Sequence, residues 1–166
     1  AIENYLYMEQ QLHGLPRLVL RASNPYGPRQ GHAGVQGIIG THLWRIAQGA
    51  PTEIWGDGSV VRDFIHVGDL AELCHAALVS DQTGCFNAGS GKGTSIAQVV
   101  AEIRRVVRES GFADVTPVHK PGRDFDVPRV VLDIAKARAL LGWQPRIGLT
   151  AGLKDTWAWV RAQAPA

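Results

Sequence analysis

The stretch Trp55-Gly56-Asp57-Gly58-Ser59-Val60-Val61-Arg62-Asp63-Phe64-Ile65-His66-Val67-Gly68-Asp69-Leu70 carries a turn, a strand and a helix start in sixteen residues. Gly56 and Gly58 reach positive φ without steric cost and Asp57 can bond its own backbone, so the first part turns the chain. Residues 60–67 are rich in β-branched and aromatic types and read as extended. Side chains alternate across a strand, which puts Arg62, Phe64 and His66 on one face and Asp63, Ile65 and Val67 on the other. An arginine inside an otherwise buried strand needs a partner. The spacing leaves two open: a carboxylate such as Asp63, or a phosphate or carboxylate ligand that a planar guanidinium grips with two bonds.

Outward from this strand, elements of both kinds alternate. Upstream, Glu53, Ile54 and Trp55 form a short strand, preceded by a helix over about residues 38–48. Residues 1–12 place Ile2, Tyr5, Leu6, Glu9 and Leu12 at helical spacing, with no capping residue before them. Such a start is expected of a chain that begins in mid-element. Gly14 ends this helix, Pro16 prevents its return, and 18–22 is a short apolar strand. Downstream, Asp69 with Glu72 reads as the capping pair of a helix over 69–79 with the stripe Leu70, Leu73, Cys74 and Ala77. Ser95 with Gln98 caps another, striped by Ile96, Val99, Val100, Ile103 and Val107. Residues 115–119 form an edge strand interrupted by Pro117. Asp133 caps a helix over 134–141, and Leu149-Thr150 open a final one through Leu153, Trp157 and Val160.

Composition narrows the classes. A chain of 166 residues with 45% apolar content fills one domain, or a domain and a fragment. A net charge of +2 without a basic run argues against nucleic acid. Cys74 and Cys85 lack metal-ligand spacing and read as small core residues of a reduced, cytoplasmic protein. No apolar run approaches the roughly 18 residues of a membrane span, so no membrane partner is expected. Gly91-Lys92-Gly93-Thr94 is not a triphosphate loop, because Phe86 stands where the first glycine belongs and Gly93 where Ser or Thr belongs.

Gly-Asp-Gly followed by Arg-Asp-Phe-Ile-His-Val and Asp-Leu-Ala resembles the substrate-domain signature of the extended short-chain dehydrogenase/reductases, the sugar-nucleotide epimerases and dehydratases. The resemblance recurs in Arg21-Ala22-Ser23-Asn24-Pro25-Tyr26-Gly27-Pro28, in Phe86-Asn87-Ala88-Gly89-Ser90-Gly91, in Arg123-x-x-Asp126 and in Leu141-Gly142-Trp143-x-Pro145. It implies an α/β fold: the C-terminal part of a Rossmann-type doubly wound sheet, with a small mixed α/β substrate-binding domain. Residues 1–35 would be the tail of the NAD-binding domain, and 36–166 the nucleotide-sugar-binding part interleaved with remaining Rossmann elements.

The resemblance also implies roles. Arg62 and Arg123 hold the diphosphate, Asp126 the ribose hydroxyls, Asn24 the phosphate-sugar end, and Asn87 the diphosphate region. Counting back from Gly56 places His42 and Leu43 against the base, together with Glu53 and Trp55. Ala22 and Ser23 lie near the nicotinamide of NAD. Val130 leaves room for a 2-acetamido sugar. Ala1, Glu3, Tyr5 and Leu6 resemble the continuation of the catalytic helix, so the Tyr-x-x-x-Lys pair and the glycine-rich fingerprint after a first strand are expected upstream of Ala1. That helix also belongs to a four-helix bundle between subunits, which implies a homodimer. The reading is the substrate-binding half of an NAD-dependent UDP-hexose 4-epimerase, inactive by itself. A dTDP- or GDP-sugar 4,6-dehydratase is the runner-up, and a non-catalytic nucleotide-sugar-binding fragment the third reading.

Overall fold

The computed structural model describes residues 2–30, 37–113, 115–122 and 126–164. Six helices and eight short strands follow one another through these residues. α1 (Ile2–His13) ends at Gly14, whose φ of 68° takes the left-handed position a helix terminus favours. β1 (Leu18–Ala22) then pairs in parallel with β5 (Gly84–Ala88), Leu18 opposite Gly84 and Ala22 opposite Ala88. β2 (Asn24–Tyr26) is a strand, where the sequence reads as a loop, because it pairs in parallel with β4 (Val61–His66). β4 also pairs antiparallel with β6 (Gly93–Ser95) and parallel with β8 (Arg129–Val130). β3 (Glu53–Trp55) pairs with β7 (Val118–Lys120), which begins only after Pro117. This mixed α/β architecture is the expected fold class.

Two apolar clusters support these strands. α2 (Ile38–Ala47), α4 (Ile96–Glu109) and α6 (Leu149–Gln163) meet through Ile39, Leu43, Val99, Ile103, Leu153 and Trp157. α3 (Val67–Leu78) and α5 (Ala135–Leu141) meet β1 and β5 through Leu73, Ala137, Phe86, Ile65 and Trp143. The Ser95–Gln98 capping box closes as expected: Gln98 N donates to Ser95 Oγ at 3.2 Å and Ser95 N to Gln98 Oε1 at 2.9 Å.

Two expectations need correction. α3 starts at Val67, and its cap is His66, whose Nδ1 accepts from Gly68 N at 3.2 Å. Asp69 therefore lies inside the first turn, buried. Its carboxylate accepts from Arg146 N and Ile147 N at 3.0 and 2.9 Å, tying the segment between α5 and α6 to α3. Cys74 is exposed, because the inward face of α3 carries Asp69, Leu70, Leu73 and Ala76 instead. Among the described residues, no helix is long and apolar enough to cross a membrane.

Candidate functional site

Arg62 lies in β4, where strand alternation separates it from Asp63. Asp63 itself is ruled out as the carboxylate partner by geometry: it points to the other side, fully buried, and receives four hydrogen bonds there. Arg62 Nη1 instead donates to the Val61 and Val127 carbonyls at 2.9 and 2.7 Å. No ion pair reaches Arg62 among the described residues, so the rest of its guanidinium is open to an anion.

A cleft of about 200 Å³ adjoins it. Arg62 and Phe64 line it from β4, Asn24 and Tyr26 from β2, and Ile38 and Ile39 from α2, with Gln30 and Ile96 at its margins. Asn24 Nδ2 donates to the Asp63 carbonyl at 2.8 Å, which fixes its side chain across the two strands. Burial pushes the Tyr26 phenol well above its ordinary value, with the Asp69 charge adding to the effect, so this group stays neutral. One cation, a primary amide and an apolar wall thus share one small volume. That set suits an anion attached to a flat or apolar group.

The other predicted residues fall as follows. His42 is buried, neither on the surface nor in the cleft, with Nδ1 2.9 Å from the Ile38 carbonyl. Leu43 is wholly buried in the helical cluster, so its side chain offers a ligand nothing. The α2 residues that reach the cleft, Ile38 and Ile39, come one helical turn earlier than the count back from Gly56 gives. The register of α2 is set by its packing on α4 and α6 and not by distance along the chain. Glu53 and Trp55 sit on β3 and do not line the cleft. Glu53 Oε1 lies 3.7 Å from Arg45 and 3.8 Å from Lys120. Asn87 donates to the Asp133 carbonyl at 2.8 Å. Asp126 directly precedes Val127, the residue whose carbonyl holds Arg62. Arg123 lies outside the described residues.

Ala22 ends β1, and Ser23 N donates to the Ala88 carbonyl at 2.9 Å. The Ser23 hydroxyl is buried and has no hydrogen-bond partner among the described residues. Gly31, Gly34 and Gly37 do fit the letter of Gly-x-x-Gly-x-x-Gly, which corrects the expectation that this spacing lies only upstream. Residues 31–36 lie outside the described ones, and β3, which follows α2, pairs with β7 and not with β2. The βαβ unit such a fingerprint requires is therefore not formed around it.

Several lining residues were missed by sequence reasoning. Phe64 follows from alternation, since it shares the face of Arg62. Gln30, whose Oε1 is buried without a partner among the described residues, follows a loop and carries no periodic signal.

Comparison with known proteins places the chain in a family. A profile of the family described as GDP-mannose 4,6 dehydratase matches residues 3–156. The chain belongs to this family of extended short-chain dehydrogenase/reductases, the epimerase and dehydratase group. A putative UDP-glucose 4-epimerase of Methanocaldococcus jannaschii is 36% identical over 159 residues, covering 96% of this chain and 50% of the relative. The crystal structure of a UDP-glucose 4-epimerase from Thermotoga maritima with UDP-glucose superposes with a TM-score of 0.90 at 36% identity, over 97% of this chain and 51% of that one. A UDP-glucose 4-epimerase from Thermus thermophilus in complex with NAD gives 0.82 at 34% identity, over 96% and 51%. The chain spans about half the length of the relatives it matches.

Proposed function

We propose that this chain is the substrate-gripping half of a cytoplasmic, NAD-dependent UDP-hexose 4-epimerase. The observation that carries the reading is the cleft that joins Arg62 to Asn24, with Arg62 held by carbonyls and free of any carboxylate among the described residues. Arg62 and Arg123 take the diphosphate, Asn24 and Asn87 the neighbouring oxygens, and Asp126 the ribose hydroxyls. A carboxylate accepts well from a vicinal diol, since its two oxygens meet two donors. Val130 leaves a 2-acetamido hexose in range. Such a division of labour grips the nucleotide and leaves the hexose free to turn, which a change of configuration at C4 requires.

The buried Ser23 hydroxyl beside Ala22, without a partner among the described residues, fits the polar edge of a nicotinamide at the carboxyl end of β1. NAD, when bound, supplies reversible hydride acceptance at the sugar carbon. The 166 residues hold no Tyr-x-x-x-Lys pair, so proton transfer falls to groups outside them. The family description favours one further reading, a 4,6-dehydratase built on the same grip. A 4-keto-6-deoxy product from the intact protein, in place of the C4 epimer, would decide for it.

Calorimetry tests the grip. UDP is expected to bind the 166-residue chain weakly, and Arg62→Ala to weaken it at least about tenfold, the scale of a charge-assisted pair. Arg138→Ala, an exposed position on α5, should change nothing. Equal affinities for wild type and Arg62→Ala would remove the phosphate role, and turnover of UDP-glucose by this chain alone would overturn its assignment as the non-catalytic half.

A further inference from the structure

Asp63 stands back to back with Arg62 on β4 and is 0% exposed. Its Oδ1 accepts from Ser90 N at 2.7 Å and Ser90 Oγ at 2.5 Å, and its Oδ2 from Gly91 N at 3.1 Å and Leu132 N at 3.2 Å. Four donors on two oxygens is the full capacity of an ionised carboxylate, and no other side chain of this size offers it. Gly89 leaves the room, since a Cβ there would press on the Asp63 carboxyl carbon at 3.1 Å.

The donors come from two separate segments, the turn after β5 and the strap over residues 127–133. That strap crosses β4 in order. Val127 O accepts from Arg62 Nη1, Pro128 O accepts from Val61 N at 2.9 Å, Arg129 and Val130 pair with Val61 and Arg62, and Asp133 O accepts from Asn87. A single carboxylate thus locks together three pieces of chain that carry Arg62, Asn87 and Asp126.

We propose that Asp63 is the positioning residue of the anion site: it clamps Leu132 and the turn at 90–91 to β4, and so fixes the Val127 carbonyl that holds the Arg62 guanidinium at the cleft. The proposal rests on the reading of Arg62 as a diphosphate ligand. Asn at position 63 would keep the volume but turn one acceptor into a donor facing N–H groups, an arrangement that repels.

The test uses Asp63→Asn and Leu132→Pro, the second removing a single donor while leaving Asp63 and its other three bonds in place. Two readouts are needed on folded protein: amide hydrogen exchange over 127–133, with α6 as internal reference, and UDP affinity by calorimetry. Expected for Asp63→Asn are at least tenfold faster exchange of the strap with α6 unchanged, and about tenfold weaker UDP binding. Leu132→Pro should move both in the same direction by less, and it carries the test if Asp63→Asn does not fold. A residue that only stabilised the fold would shift α6 exchange along with the strap and leave the affinity of the folded protein alone, and that result overturns the proposal. So does wild-type affinity in both variants. Absence of UDP binding by the wild type would instead sink the phosphate reading of Arg62, while strap exchange would still decide whether Asp63 is the clamp.

Discussion

His42 sits on α2 with 4% of its surface exposed, and its Nδ1 lies 2.9 Å from the Ile38 carbonyl. That bond makes Nδ1 the donor and leaves Nε2 a buried acceptor without a partner among the described residues. Burial lowers its pKa to about 4, opposed by the Ile38 bond and assisted by the Arg45 charge. The unfolded chain takes up a proton near the ordinary value of 6.5, which the fold refuses until about pH 4. Stability from this group is therefore complete above about pH 6.5 and is lost as pH falls toward about 4, with a ceiling of about 3 kcal/mol. Urea midpoints at pH 7 and pH 4.5 check this. Wild type should lose more stability between the two than His42→Gln, and equal losses would mean the imidazole is not held neutral. At the same scale, strand alternation alone assigns Arg62 and Phe64 to one face and Asp63 to the other. It says nothing of what each face meets, which is why an ion pair between neighbours in sequence looked as plausible as a ligand site.

Between elements, α6 comes close to β2 and β4 at a glycine. Gly152 lies on α6 against Tyr26 and His66, and a Cβ there would meet the Tyr26 hydroxyl and come within 2.9 Å of both the Tyr26 ring carbon bearing it and His66 Cδ2. The two rings stand edge to face at 5.4 Å, and the Tyr26 hydroxyl donates to the Leu149 carbonyl at 3.4 Å, so neither can yield without moving α6. Gly152→Ala is expected to cost about 1–3 kcal/mol, the usual penalty for overpacking. Gly148→Ala, with nothing within 4 Å and an ordinary extended φ of −69°, should lose only the preference of an N-cap for glycine over alanine, about 0.5–1 kcal/mol. Thermal melts of the two variants separate a crowded helix contact from a general aversion to alanine. Element identities were largely legible because caps and stripes are local signals: Ser95 with Gln98, and the glycines at 14 and 142. Asp69 was misread because its carboxylate serves residues 146–147, 77 positions or more away, a pairing that no local pattern encodes.

At the scale of the whole molecule, the outlier is α1. It has no buried residue, and Ile2, Tyr5, Tyr7 and Leu12 are 76%, 66%, 53% and 66% exposed. What holds it is polar: Arg21 donates to both Glu3 oxygens, at 3.0 and 2.5 Å, and Arg17 Nε to Gln10 at 2.9 Å while its guanidinium lies over Tyr7. Exposed pairs of this kind are screened by water and contribute little, and a helix of 12 residues is marginal in water without an apolar face to bury. Amphipathic spacing was visible in the sequence, but whether the described residues cover the stripe was not, since that depends on tertiary packing, and here they leave it exposed. We infer that this face joins subunits in the intact protein, as the expected helix bundle requires. The chain should then self-associate as concentration rises, and Tyr5→Lys with Leu12→Lys should return it to a monomer while the protection of α4 amides is kept. Sedimentation velocity from about 10 to 300 µM, paired with amide exchange, reads both effects. A monomeric wild type over that range, with α1 protected as well as α4, would mean that the helix stands without a partner and that its apolar stripe serves no interface.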